Sequence, residues 1–322
     1  MRVRFWGTRG SLPVAQRPAS IAVKIARALM IARGRKFETE AEAESFALTE
    51  LDFATHGTYG GATSCIEIEG GDDDQAFVIC DMGSGLREFG INALRRCAEG
   101  HPRVYHFFLS HLHWDHIMGF PYFRPAYESG AIIVIHSGHP DAEAALRRQQ
   151  EAMSFAVPFD ALKAHIEFRR HSPGEAIDVG GLRVTMIRQT HAGDSFGYRF
   201  ERGGQAVIYS TDAEHKPDEM DAEGDFETFF AGADLVVCDT MYSLADMVSL
   251  RQDSGHSSNI VAVDLCLAGG AKRLALFHHE PSYSDEDILR MHDETIRYEN
   301  VVRAGRPRLE VICAYDGLEV TL

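Results

Sequence analysis

Three observations in the sequence predict an α/β protein built in stacked layers. Short apolar runs of strand character recur along the chain, and helical patterns lie between them from one end to the other. With 322 residues, 45% of them hydrophobic, the chain can bury a full core. Strands and helices mixed over the whole length argue for α/β layers in a single domain, 1–322.

The first strand is "RVRFWG". Residues 17–54 then break the rhythm: "ASIAVKIARALMIARG" and "ETEAEAESFALTELDF" read as two amphipathic helices inserted before the next strand, "SCIEIE". The insertion holds no residue of chemical interest and reads as a surface helical hairpin, with a lid or a dimer contact as the alternatives. Further strands are expected at "AFVICD", "YHFFLS", "AIIVIHS", "LRVTMIRQT", "GYRF", "AVIYST", "DLVVCDT", "RLALFHH" and "RLEVICAYDGLEVTL". Several are apolar throughout, as strands covered on both faces are. Helices are expected at "LREFGINALRRCAE", "DAEAALRRQQEAM", "SSNIVAVDLCLAGG" and "SDEDILRMHDETIRYE". The last opens with Ser284 and Asp287 at capping-box spacing, and the third stops at Gly269 and Gly270. The acidic "GDDDQ" reads as a solvated turn.

No stretch approaches the roughly 18 consecutive apolar residues of a membrane span, and "MRVRFWGTRGSLPV" has no signal-peptide pattern. A soluble cytoplasmic protein without membrane partners is therefore expected. Six cysteines are scattered without a C-x-x-C pair, mostly inside apolar runs, which fits buried reduced thiols. A net charge of −16 without a dense basic block weighs against large nucleic acids as partners. A small anion held by a metal remains compatible with it, since local charge at a site outweighs distant screened charge.

"HLHWDH", residues 111–116, places four ligand-type side chains in six positions just after an apolar strand. In an extended segment His111 and His113 point the same way and can close on one ion, while Asp115 and His116 come where the chain turns and can face a second position. Leu112 and Trp114 are expected to anchor the loop in the core. Further ligands are sought at other strand ends: His191 in "MIRQTHAGD", Asp212 in "VIYSTDAEH", and His278 or His279 in "LALFHHEP".

H-x-H-x-D-H, succeeded by a strand-end His, a strand-end Asp and a final strand-end His, resembles the metallo-β-lactamase superfamily. Within it the chain is most similar to the branch of ribonuclease Z and the small cyclic phosphodiesterases. That likeness is carried by "FWGTRGSLPV", "ICDMGSG", "FGYRFE", "YSTDAEH", "VVCDTMY", "SGHSS" and "LALFHHEPSYSDE". The resemblance implies a four-layer αββα sandwich with a dinuclear metal centre. It assigns His111, His113 and His191 to one metal, and Asp115, His116 and His278 to the other. Asp212 bridges them, and Asp81 stands behind as an orienting group. The resemblance implies zinc as the usual metal; a nitrogen and oxygen ligand set without thiolate suits Zn²⁺, Mn²⁺ or Fe²⁺ and does not choose among them.

Such a pair of ions, about 3.5–4 Å apart, activates a water for attack and neutralises phosphate charge. Hydrolysis of a diester also needs an acid to protonate the departing alkoxide. The matching pair here is His256 in "DSGHSSN" with Asp239 after "LVVC", although this chain has Asp where the branch more usually has Glu, and Ser257 for Thr. The expected function is hydrolysis of a small, cyclic phosphodiester such as a cyclic nucleotide or a cyclic ribose phosphate, with Asp115, His256 and Asp239 in catalytic roles and a homodimer as a candidate assembly. The competing readings are tRNA 3′-end processing, thioester or lactone hydrolysis, and non-catalytic metabolite binding. Ser195, Tyr198 and Arg199 are weaker candidates for substrate contact, while His136, His139 and His215 read as ordinary loop histidines.

Overall fold

Strand β1 (Arg2–Gly7) alternates half-buried and buried residues, so Val3 and Phe5 face the interior. The computed structural model describes residues 1–70, 75–215, 225–243, 246 and 255–322. "GDDDQ" falls almost wholly outside them.

The insertion forms α1 (Pro18–Ile31), α2 (Glu40–Glu50) and the short α3 (Phe53–His56). Thr39 and Asp52 cap α2 and α3 by accepting the backbone N–H groups of Glu42 and Thr55. The insertion lies at the surface: α1 buries no residue, and α2 buries only Phe46.

Next in the chain are β2 (Cys65–Glu69), β3 (Phe77–Cys80), α4 (Leu86–Ala98), β4 (Val104–Leu109), the one-turn α5 (Trp114–Ile117), β5 (Ile132–Ser137), α6 (Ala142–Gln149) and β6 (His165–Arg170). The second half holds β7 (Ala176–Val179), β8 (Leu182–Gln189), β9 (Ser195–Arg202), β10 (Gln205–Ser210), α7 (Asp225–Phe230) and β11 (Leu235–Asp239). After these come α8 (Asn259–Gly269), β12 (Arg273–Phe277), α9 (Asp285–Val302), β13 (Glu310–Cys313) and β14 (Glu319–Thr321). The capping box at Ser284 and Asp287 is present, and Gly270 ends α8 with a left-handed φ of 67°.

Two seven-stranded sheets result, in the orders β14-β1-β2-β3-β4-β5-β6 and β13-β12-β11-β10-β9-β8-β7. In each, the ladders are antiparallel at one end and parallel at the other, the parallel runs being β3-β4-β5-β6 and β10-β11-β12-β13. Between the sheets lies a core that includes Phe5, Ile66 and Phe108 from one and Val184, Phe200, Tyr209 and Phe277 from the other. The outer face of the first sheet is covered by α4, through Leu86 and Phe89; that of the second by α8 and α9, through Cys266 and Ile288. The four-layer αββα arrangement is therefore present. Among the described residues, no helix is long and apolar enough to cross a membrane.

Candidate metal centre

Parallel strands release their chains at one edge, and the site is built from the loops and turns at that edge. Asp81 comes directly after β3 and is buried. Its Oδ1 accepts the Ser110 N–H at 2.7 Å. Its Oδ2 accepts the hydroxyls of Ser110 and Tyr209, each at 2.7 Å, and lies 2.7 Å from His116 Nδ1. A carboxylate accepting there requires the proton on Nδ1, which leaves the Nε2 lone pair of His116 facing inward.

The seven expected ligands come together in two groups. His111, His113 and His191 form one, Asp115, His116 and His278 the other, with potential ligand atoms within 4.8 Å of one another in each. Asp212 stands between them. Its Oδ1 is 3.7 Å from both His111 Nε2 and His191 Nε2, and its Oδ2 is 3.0 Å from His116 Nε2 and 3.2 Å from His278 Nε2. Asp115 Oδ2 closes the second group at 3.2 Å from His116 Nε2 and 3.3 Å from His278 Nε2.

Of the two adjacent histidines, His278 is the one whose ring stands with the other candidate ligands. His278 takes a left-handed φ of 63° and turns into the group. His279 instead places Nε2 2.8 Å from the Ala314 carbonyl, and burial drives its pKa down to about 3. Asp81 and Asp212 also have left-handed backbones, at 59° and 49°. Strain of this kind concentrates where side chains must be aimed at a site.

His256 Nδ1 lies 2.8 Å from Asp239 Oδ2, so the expected pair is formed. The ring centroid of His256 is 5.3 Å from those of both His191 and His278. Burial opposes charge on this imidazole, but Asp239, with Asp212 and Asp115 behind it, raises its pKa to about 9.

The electrostatics of the two groups suit cations. Burial works against ionisation of Asp115 and Asp212, yet the facing imidazoles outweigh it and hold both carboxyls well below the usual range. Burial lowers the pKa of His111, leaving it neutral. Burial opposes charge on His116 too, but Asp115, Asp212 and Asp81 raise its pKa well above the ordinary imidazole value. A proton drawn there does what a divalent ion would do. His111 Nε2, buried and without a hydrogen-bond partner, is a lone pair aimed into the site. The residues present thus fit a pair of divalent ions.

Several supporting groups escaped the sequence reading. The Ser11 N–H donates to Asp115 Oδ2 at 2.7 Å, from a loop in which a Cβ on Gly10 would stand 2.6 Å from the His278 ring. His191 Nδ1 lies 2.7 Å from the Gly255 carbonyl. Other expectations are corrected. Trp114 does not anchor the loop: it is 76% exposed, because α5 turns it outward, while Leu112 packs on the core. His136, His139 and His215 are buried, and His136 lies within β5. Tyr198 and Ser195 are spent inside the protein, their hydroxyls donating to the carbonyls of Leu109 and Thr211. Arg199 is engaged with Glu201 and the carbonyls of Phe229 and Ala231.

Comparison with known proteins agrees with this fold. A curated ribonuclease Z from Bradyrhizobium diazoefficiens is 25% identical over 260 residues, covering 66% of this chain and 83% of its own. The metallo-β-lactamase fold protein YhfI of Bacillus subtilis superposes with a TM-score of 0.63 at 17% identity, over 99% of this chain and 98% of its own. Yeast PDE1 superposes with a TM-score of 0.60 at 16% identity, over 82% of this chain and 96% of its own. A family model described as a beta-lactamase superfamily domain matches residues 78–279, more than half of the sequence. On the fold, the clustered histidines and aspartates, and that match, this chain belongs to the β-lactamase superfamily.

Proposed function

We propose that this chain is a metal-dependent phosphodiesterase acting on a small, cyclic phosphodiester such as a cyclic nucleotide. The observation that carries the reading is the Asp239–His256 pair set against the ligand cluster. Metal ligands alone would serve many hydrolases on this fold. A positioned acid answers the need of an alkoxide leaving group, which a thioester does not have.

In this reading His111, His113 and His191 would hold one divalent ion and Asp115, His116 and His278 the other, with Asp212 within reach of both groups. When bound, the ions supply an activated water and neutralise charge on the phosphate oxygens. The ligand chemistry suits Zn²⁺, Mn²⁺ and Fe²⁺ alike, and the family resemblance puts Zn²⁺ first.

The chain's own residues do the rest. Asp81 fixes the tautomer and direction of His116, and the Gly255 carbonyl does the same for His191. Asp239 holds the His256 Nδ1 proton, leaving Nε2 as the atom that gives a proton to the departing ester oxygen as the P–O bond breaks. Asp115, held by the Ser11 N–H, stays ionised beside the reacting centre.

The test uses the full chain loaded with Zn²⁺ or Mn²⁺, first with bis(p-nitrophenyl) phosphate and then with a panel of cyclic nucleotides. Turnover of a cyclic diester is expected. His256→Ala should keep its ions and lose about 10²–10⁴-fold in kcat. Absence of all diester hydrolysis with ions confirmed present would overturn the reading in favour of a thioester or lactone hydrolase or a binder.

A second reading, tRNA 3′-end processing, is favoured by the relative named ribonuclease Z. The net charge of −16 works against a polyanionic substrate. Cleavage of a precursor tRNA in preference to every cyclic diester would establish it.

A further inference from the structure

Just after Asp212 the chain carries another buried carboxyl, that of Glu214. Its main-chain N–H donates to the Thr190 carbonyl at 2.9 Å, which joins the turn after β10 to the residue ahead of His191. Its side chain reaches in another direction, where Oε2 accepts the Gly255 N–H at 3.2 Å. The Gly255 carbonyl lies 2.7 Å from His191 Nδ1, and His256 is the next residue in the chain. The segments that carry His191, Asp212 and His256 therefore meet at Glu214.

A second fastening lies beside the first. Buried Ser257 accepts the His215 N–H at 3.2 Å and donates its hydroxyl to the Ala213 carbonyl at 2.6 Å. Gly255 itself has a left-handed φ of 80°, and a Cβ there would stand 2.7 Å from His191 Nδ1, so the close approach to that ring requires glycine. Asp239 holds the His256 ring at one nitrogen, but a ring is aimed only if its backbone is fixed as well. Glu214 and Ser257 fix that backbone on either side of His256. A proton donor works within hydrogen-bond reach of its target, and a misplacement of about 1 Å can cost about 100-fold in rate.

We propose that Glu214 is a positioning residue: by holding Gly255 it sets His256 and His191 in register with Asp212, with Ser257 as its helper. The effect on rate rests on the reading of His256 as the proton donor. The hold on the loop does not, and it is measured separately.

The first arm follows hydrogen exchange at the Gly255 amide by NMR on the chelator-stripped full chain, without substrate. Exchange should quicken by at least about tenfold in Glu214→Ala and stay near the wild-type rate in Glu214→Gln, which keeps an oxygen for that N–H. The second arm measures hydrolysis of cyclic AMP by the Zn²⁺-loaded chain, with bound ions counted by elemental analysis. Glu214→Ala should keep its ions and lose about 10–100-fold in kcat with KM little changed, and Glu214→Gln should recover most of the rate. Glu214→Ala combined with His256→Ala should cost less than the product of the separate losses, because both act on one group. Unchanged exchange in Glu214→Ala overturns the proposal. Faster exchange with an unchanged kcat, or losses that multiply in the double variant, overturns it equally. A wild type that turns over no cyclic diester overturns the reading of the reaction instead, and the exchange arm then decides the hold on Gly255 by itself.

Discussion

Asp212 joins two groups of imidazoles through its two oxygens, and its position depends on a backbone φ of 49° that few non-glycine residues adopt. Around it the ligands are aimed by partners one layer further out. Asp81→Asn should therefore lower metal affinity by about 10–100-fold without unfolding the chain, because an amide has one acceptor oxygen where the carboxylate has two and cannot serve both the Ser110 N–H and His116 Nδ1. Isothermal titration with Zn²⁺ of the chelator-stripped protein reads the effect, and unchanged affinity would remove Asp81 from the account. Gly10→Ala should act in the same direction, since the added methyl meets the His278 ring at 2.6 Å. The seven clustered side chains were legible in the sequence because ligand chemistry needs particular residue types at strand ends. The Ser11 N–H and the Gly255 carbonyl were not, because main-chain atoms exist at every position and only folding tells which ones face a site.

At the scale of elements, the first sheet hides a polar feature that periodicity could not reveal. Across β4, β5 and the chain after β6, His106 Nδ1 lies 3.0 Å from His136 Nε2. His136 Nδ1 is 2.9 Å from His171 Nε2, and His171 Nδ1 is 2.9 Å from Glu175. Burial first, then the neighbouring cationic groups, lowers the pKa of His106 to about 4 and of His136 to about 2. The unfolded chain binds these protons near the ordinary imidazole value of about 6.5, so the unfolded state holds more protons below that pH. The stabilisation is complete above about pH 6.5 and is lost as pH falls toward 4 and then 2. Melting temperatures of chelator-treated protein should fall over that window. His136→Phe, which keeps a ring against Phe108, should fall less steeply. Parallel slopes for the two proteins would contradict this. β6 and β7 escaped the sequence reading for a related reason: both are sheet edges, and "HIEFRR" and "AIDV" carry charges where a central strand is apolar.

For the whole molecule, the decisive fact is that the candidate ligands arrive from both sheets: Asp115 and His116 after β4, Asp212 after β10 and His278 after β12. The centre exists only while the sheets are packed, so ions that bind there bind the folded state alone. We propose that 1–322 folds as one cooperative unit, and a single thermal transition is expected. At a free ion concentration a hundred times the dissociation constant, binding should stabilise the fold by about 2.7 kcal/mol, with no such gain in Asp212→Ala. The layered architecture could be read from strand and helix patterns alone. The inward turn of Lys24 on α1 could not, because which side of a helix faces inward is set by partners such as Asp285, distant in sequence. The account rests most directly on ion stoichiometry. Elemental analysis of the stripped full chain, reconstituted with Zn²⁺ and freed of excess metal, should find about two ions per chain in the wild type and a clear loss in Asp212→Ala. A wild-type chain that retains none, or an Asp212→Ala variant that retains as many, would contradict it.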